Sequence, residues 1–411
     1  MKISEICSSI CSGGTPKSTI PEYYGGNIPW LNTKEINFNR IYNTEKSITK
    51  EGLINSSAKW IEENSVVVAM YGATAGKSAI TKIPLTTNQA CCNITVNNSK
   101  ADYRFVYYAL YNDYKCLASL ANGGAQQNLN AQLIKDFDIP NFPLNEQIKI
   151  ANLISTLDDK IELNRRINDN LEQQAQALYK SWFIDFEPFK DGKFVDSEIG
   201  IIPEVLELCN IGSINHRLES GRRPKGGASL EGVPSIGAES IKGLGKFDYT
   251  KTKYIPKDFA KSMKKGSIQG YELLIYKDGG KPGYFIPNFS IFGEEFPYKE
   301  MYINEHVFLL DFEDAGYNIF AYFYMQTAYI MNQLNSIGGK AAIPGINSSD
   351  VESLPIFRKN NNYIRLFGEI VMPLIRKILS NCKENAKLAN VRDKILPQLM
   401  SGELKINEIN K

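Results

Sequence analysis

Between positions 145 and 182 the chain carries neither Gly nor Pro. Apolar residues recur there at alternating steps of four and three: Ile150, Ile154, Leu157 and Ile161, then Leu171, Ala175, Leu178 and Trp182. Asn164 and Asn168 hold the two seam positions in between. This spacing predicts one helix with a stripe facing a partner helix, as in a coiled coil. At roughly 1.5 Å per residue it would run about 55 Å, which is long for a globular core and suits a separator. The pattern returns as Phe367, Val371, Leu374 and Ile378, then Asn381, Asn385 and Leu388. Each stands 217 positions after its counterpart (381 − 164, 385 − 168, 388 − 171). Asparagine in an apolar seam costs stability and sets register, so the repeated pair predicts a specific helical partner. Pro373 and Pro397 predict that the second copy is broken into shorter pieces.

The segments around these helices read as short strands and turns. Positions 65–71 form a β-branched run typical of a buried strand. It ends in Gly72-Ala73-Thr74-Ala75-Gly76-Lys77-Ser78, which has three residues between the glycines where a phosphate-binding loop needs four. Nucleotide binding is therefore excluded, and a glycine turn presenting Tyr71, Lys77 and Ser78 is expected. Positions 104–120 look helical, 123–130 form an amide-rich loop, and 184–200 read as a linker. From about Ile201 the first half replays with divergent residues. Segment 29–36 aligns without gaps on 234–241, and Gly13 with Pro16-Lys17 on Gly221 with Pro224-Lys225. Met70-Tyr71 finds its counterpart around Ile275-Tyr276, and Asn88-Gln89 answers to Asn304-Glu305. Gly123-Gly124 answers to Gly338-Gly339 in the same way. The expected architecture is α+β: a globular domain over 1–142, a helix and linker over 143–190, a second globular domain over 191–358 and a second helix over 359–411.

Composition narrows the function. A chain of 411 residues with 43% hydrophobic and 22% charged residues suits two to three globular domains. No apolar run reaches the roughly 18 residues of a membrane span, and the N-terminus lacks a signal-peptide core. Seven cysteines form no Cys-x-x-Cys pair and only two histidines are present, which argues against zinc. The odd cysteine count without an export signal points to the reducing cytoplasm. The net charge of +2 hides 14 Lys/Arg against 7 Asp/Glu between positions 217 and 281, a polyanion site or a solvated face.

No catalytic constellation emerges. There is no Pro-Pro pair for an amino-methyltransferase loop, and Asp191-Gly192-Lys193 with nearby Glu187 reads as a solvated turn rather than a nuclease centre. Neither His216 nor His306 sits in a nucleophile elbow. What remains is recognition, in which Arg pairs with guanine, Asn or Gln with adenine, and Lys with phosphate. The first half offers Lys17, Tyr71, Lys77, Ser78, Asn88, Gln89, Gln126, Gln127 and Asn128; the second offers Arg222, Arg223, Lys225, Lys277, Lys281, His306 and Lys340. The competing reading is that the amides close turns and the basic residues form a solvated face. Tyr107, Tyr108, Tyr322, Phe323 and Tyr324 lie on helical segments and read as core rather than base-stacking.

The order GGTPKS, YYGGNIPWLNTKEI, VAMYGATAGKSAI, TTNQA, GGAQQNLN, IPNFPLNEQIKIANLISTLDDKIELN and closing RDKILPQLMSGEL resembles the specificity (S) subunit of type I restriction-modification systems over nearly the full length. The resemblance implies two target recognition domains, each reading one half of a split double-stranded DNA site. It implies two antiparallel spacer helices related by a pseudo-two-fold axis, which dock methyltransferase subunits and a restriction/translocase subunit. It also implies no catalysis and no cofactor on this chain, with S-adenosylmethionine, ATP and Mg²⁺ held by the partners of a complex that cleaves DNA and methylates adenine. The chain departs from the family pattern in starting almost directly on the first domain. It departs again in carrying Ile343-Pro344-Gly345 where the first half has Asn128-Leu129-Asn130. A scaffold protein without DNA contact and a stand-alone DNA-modifying enzyme are the rival readings.

Overall fold

The computed structural model describes residues 1–121, 128–280, 283–339 and 344–406. They form two compact units, Met1–Lys160 with the end of the chain from Leu388, and Ile161–Lys387. Two α-helices of 40 residues each, Leu144–Phe183 and Asn362–Ser401, contribute to both units.

The first unit holds a five-stranded sheet in the order Cys7–Ser12, Cys91–Val96, Val66–Ala69, Ser78–Thr81, Asn39–Ile41. The β-branched run Val66–Ala69 lies in the middle and is fully buried, since only a strand covered on both faces tolerates apolar residues at every position. A second sheet places Tyr24–Leu31 between Lys46–Ile48, antiparallel, and Leu85–Thr87, parallel. The predicted helical stretch forms two helices, Tyr103–Asn112 and Tyr114–Ser119. Asp102 caps the first by accepting from Arg104 N at 2.8 Å.

The second unit repeats this plan. Its main sheet runs Arg217–Ser220, Val307–Asp311, Leu273–Tyr276, Phe289–Ile291, and its second sheet places Val233–Ile236 between antiparallel Lys253–Ile255 and parallel Tyr302–Ile303. Asp314 caps helix Ala315–Tyr324 as Asp102 caps its counterpart. Tyr107, Tyr108, Tyr322, Phe323 and Tyr324 are all buried. The core closes on the long helices through aromatic rings: Phe183 lies 5.0 Å from Phe320 and 5.5 Å from Phe367.

Two expectations are corrected. Pro373 and Pro397 do not break the second helix. Both are exposed, as are Glu369 and Asp393, whose carbonyls lose their i+4 donor to proline, so water can satisfy what the helix ladder does not. The segment read as a linker is also structured. The first helix ends at Phe183, Phe186 in the left-handed region (φ 54°) opens a short turn that buries Phe189, and Phe194–Ser197 pairs with Gly200–Pro203 as a hairpin.

The seam positions are occupied in antiparallel fashion. Ile154, Ile161, Val371 and Ile378 are buried, while Leu157, Leu171, Leu374 and Leu388 are half-buried. Within the second unit Asn164 Nδ2 donates to Asn385 Oδ1 at 2.9 Å and to Glu384 at 2.8 Å, and Asn381 Nδ2 donates to Asn168 Oδ1 at 2.8 Å. Because 381 and 385 are the repeats of 164 and 168, this crosswise pairing is what a local two-fold axis between the helices requires. Burial pushes the neighbouring Cys382 thiol up to about 11, with the Asn168 amide that donates to its sulfur pulling the other way.

Candidate nucleic-acid interface

A hydrogen-bonded turn is built at the same place in each unit. In the first, Asn88 N donates to Leu31 O at 3.0 Å, Asn88 Oδ1 accepts from Ala90 N at 3.1 Å, and Cys91 N closes on Asn88 O at 3.1 Å. In the second, Asn304 N donates to Ile236 O at 2.9 Å, Asn304 Oδ1 accepts from His306 N at 2.9 Å, and Val307 N closes on Asn304 O at 3.3 Å. Identical offsets make Gln89 and Glu305, each following its asparagine, structural counterparts. A glycine segment crosses each turn at backbone contact. A Cβ on Gly13 would strike the Asn88 carbonyl oxygen, and one on Gly221 the Ile303 carbonyl oxygen. Two residues beyond each glycine, Thr15 Oγ1 donates to Gln89 Oε1, and Arg223 Nε lies 2.6 Å from Glu305. Lys17 and Lys225 follow at matching positions, both exposed.

The second turn is the more charged. His306 faces Asp278 through Nδ1 at 3.0 Å, and its Nε2 lies 3.3 Å from Arg223 Nη2 and 3.2 Å from Glu305. Arg222 sits 5.9 Å over the Phe259 ring. Lys277 donates to Ser220 Oγ at 3.0 Å and lies 4.5 Å over the Phe308 ring, outside this cluster. Nearby, burial acts to raise Glu239, but the Lys253 ammonium at 2.8 Å, a backbone amide and the His306 ring together hold the carboxyl below its ordinary range.

A second shared feature is a bridge beside the turn. Leu129 N donates to Met70 O at 2.8 Å and Tyr71 pairs with Asn128; likewise Ile346 N donates to Lys277 O at 2.7 Å and Asp278 pairs with Gly345. Tyr71 thus corresponds to Asp278, and Asn128-Leu129-Asn130 to Gly345-Ile346-Asn347, two positions further on than residue matching gives in each case. Asn130 and Asn347 both cap the following short helix, accepting from Leu133 N and Asp350 N.

The remaining candidates fall differently. Ser78 lies on a buried strand, its hydroxyl unpartnered among the described residues, rather than on an exposed turn. Asn88 is spent on the turn itself, and Lys77 donates to Asn37 at 2.6 Å. Tyr71 is 40% exposed, and Asn128 is exposed beside it. Gln126, Gln127, Lys281 and Lys340 lie outside the described residues. Thr15, Glu305 and Asp278 were not among the candidates, although the shared offset of Thr15 and Arg223 from their glycines was readable in the sequence. Among the described residues no group of His, Cys, Asp and Glu side chains is placed to hold a metal, and no helix is long and apolar enough to cross a membrane.

Residues 1–173 match the family described as the type I restriction modification DNA specificity domain. Across 99% of this chain and 94% of its own length, the type I restriction enzyme MjaIX specificity subunit of Methanocaldococcus jannaschii is 28% identical. The chain is similar to type I specificity subunits over nearly its whole length. The HindI specificity subunit of Haemophilus influenzae is 26% identical over 64% of this chain and 68% of its own length. The fold matches the crystal structure of a type I S subunit from M. genitalium, with a TM-score of 0.57 at 18% identity, covering 97% of this chain and 95% of that one. The α+β fold and the family resemblance read from the sequence are both borne out.

Proposed function

We propose that this subunit reads a bipartite, asymmetric double-stranded DNA site, one half-site per unit, without catalysing a reaction itself. The observation that carries this reading is the turn built twice on the same hydrogen bonds but dressed with different side chains. A shared scaffold with unlike polar groups is what two unlike half-sites demand. The long helices dock the methyltransferase subunits and, through the complex, the restriction/translocase subunit. S-adenosylmethionine, ATP and Mg²⁺ act on those partners, and the complex methylates adenine and cleaves DNA in the cytoplasm. Lys17, Arg222 and Lys225 contact phosphates, while the residues on and beside the turns face bases.

Mapping methylated adenines in cells that carry the complex tests this reading. A split motif with a non-specific spacer supports it, and one continuous short motif overturns it. The double variant Arg222→Ala with Arg223→Ala should weaken DNA binding by the complex, leave assembly intact and flatten the log–log salt dependence by about one to two units. An unchanged affinity at low salt would return these arginines to a solvated face.

A further inference from the structure

We infer that the two equivalent turns are the points at which each unit reads a base pair directly, with Gln89 selecting an A·T pair and Arg223 a G·C pair. This rests on the DNA-reading role proposed above and assigns the residues that make the half-sites unlike. Gln89 is exposed, and the Thr15 hydroxyl at its Oε1 fixes which way the amide points. That leaves Nε2 free to donate to adenine N7, while a second lone pair on Oε1 accepts from adenine N6. Arg223 is half-exposed and held at Nε by Glu305 and at Nη2 by His306, so Nη1 and the second N–H of Nη2 remain to donate to guanine O6 and N7. Glu305 is therefore a positioning residue for Arg223. Asp278 plays that part for His306, whose Nε2 in turn faces the Arg223 fork. Neither carboxylate suits direct contact with phosphate, yet Glu305 pairs with the half-exposed Arg223 and Asp278 with His306, which is the arrangement of a fork being aimed rather than of a face being solvated.

The test uses the full chain assembled with its methyltransferase subunits, and measures methylation of a DNA library randomised at each position of the wild-type motif. Arg223→Gln should reduce discrimination for a G·C pair at one position of one half-site by on the order of ten- to a hundred-fold, leaving the other half-site untouched. Gln89→Ala should do the same for an A·T pair in the other half-site. Arg223→Lys keeps the charge and should keep non-specific affinity while losing the base preference, which separates reading from phosphate contact. Glu305→Gln should relax the same position as Arg223→Gln with melting temperature and salt slope unchanged, a result a merely structural glutamate would not produce. Full retention of the motif by both Arg223 variants overturns the inference, as does a change from Gln89 and Arg223 in the same half-site. A lowered melting temperature with methylation lost at both half-sites, for Arg223→Lys as well, also overturns it by placing the cluster in the fold. A wild-type motif that is continuous fails the DNA-reading proposal itself and is distinct from all of these.

Discussion

Asn164 and Asn381 are each 1% exposed, and each leaves its Oδ1 buried without a hydrogen-bond partner among the described residues, at positions related by the 217-residue repeat. A buried unsatisfied carbonyl costs about 1–3 kcal/mol, so these asparagines spend stability on register. Asn164→Leu with Asn381→Leu is expected to hold or raise the melting temperature while loosening the register of the helix pair. A fall of more than about 2 kcal/mol in chemical denaturation would show that the donated bonds matter more than the orphaned oxygens. Arg392 behaves oppositely. It is 15% exposed and bonded to Asp158 at 2.7 Å, Asp393 at 2.8 Å and the Tyr111 hydroxyl at 2.8 Å. Arg392→Met leaves the half-buried Asp158 carboxylate with, among the described residues, the Tyr108 hydroxyl alone, and should cost about 3 kcal/mol in urea unfolding.

Among the elements, the second long helix tolerates two prolines because both face solvent, yet each still removes a ladder bond. Pro373→Ala should therefore stabilise the protein, by up to about 3 kcal/mol, and a lower melting temperature would point to an unrecognised role for that ring. The helix ends on Gly402, at φ 77°, with Leu404 N donating to Gln398 O at 3.0 Å, a closure that needs a residue free to adopt positive φ. The crossing strands depend on glycine for a different reason. At Gly13 and Gly221 a side chain would meet backbone rather than a movable neighbour, so Gly221→Ala should cost about 1–3 kcal/mol and disturb the Arg223–Glu305 contact. Loss of DNA discrimination without loss of stability in that variant would separate the two effects.

For the molecule as a whole, the crosswise pairing of Asn164 with Asn385 and Asn168 with Asn381 makes each long helix a substitute for the other. A helix able to meet its repeat in the same chain can meet its own copy in a second chain. Residues 1–195 alone should form a two-fold symmetric, isologous dimer that modifies an inverted repeat of the first half-site when methyltransferase subunits are supplied. Light scattering that finds only monomer at micromolar concentration, together with no palindromic methylation, would refute this interchangeability.

Much of this was legible without coordinates. The 217-residue repeat, the long helices, the buried strand at Val66–Ala69 and the helical aromatics of the core follow from local periodicity, because a stripe or a β-branched run leaves the chain few ways to bury itself. Pairing between distant segments was not legible. Matching Tyr71 to Tyr276 by identity missed the register, which hydrogen bonds set at Asp278, and Ser78 next to a glycine turn proved to lie on a buried strand. The prolines misled for a related reason, since sequence marks where a ladder bond is lost but not which way the freed carbonyl faces. Sequence by itself determined the repeat, the helices and the family resemblance, all of which rest on spacing along the chain. Only the tertiary structure decided that Thr15 meets Gln89 as Arg223 meets Glu305, because those contacts join residues 74 and 82 positions apart (89 − 15, 305 − 223) through a turn that no local pattern encodes.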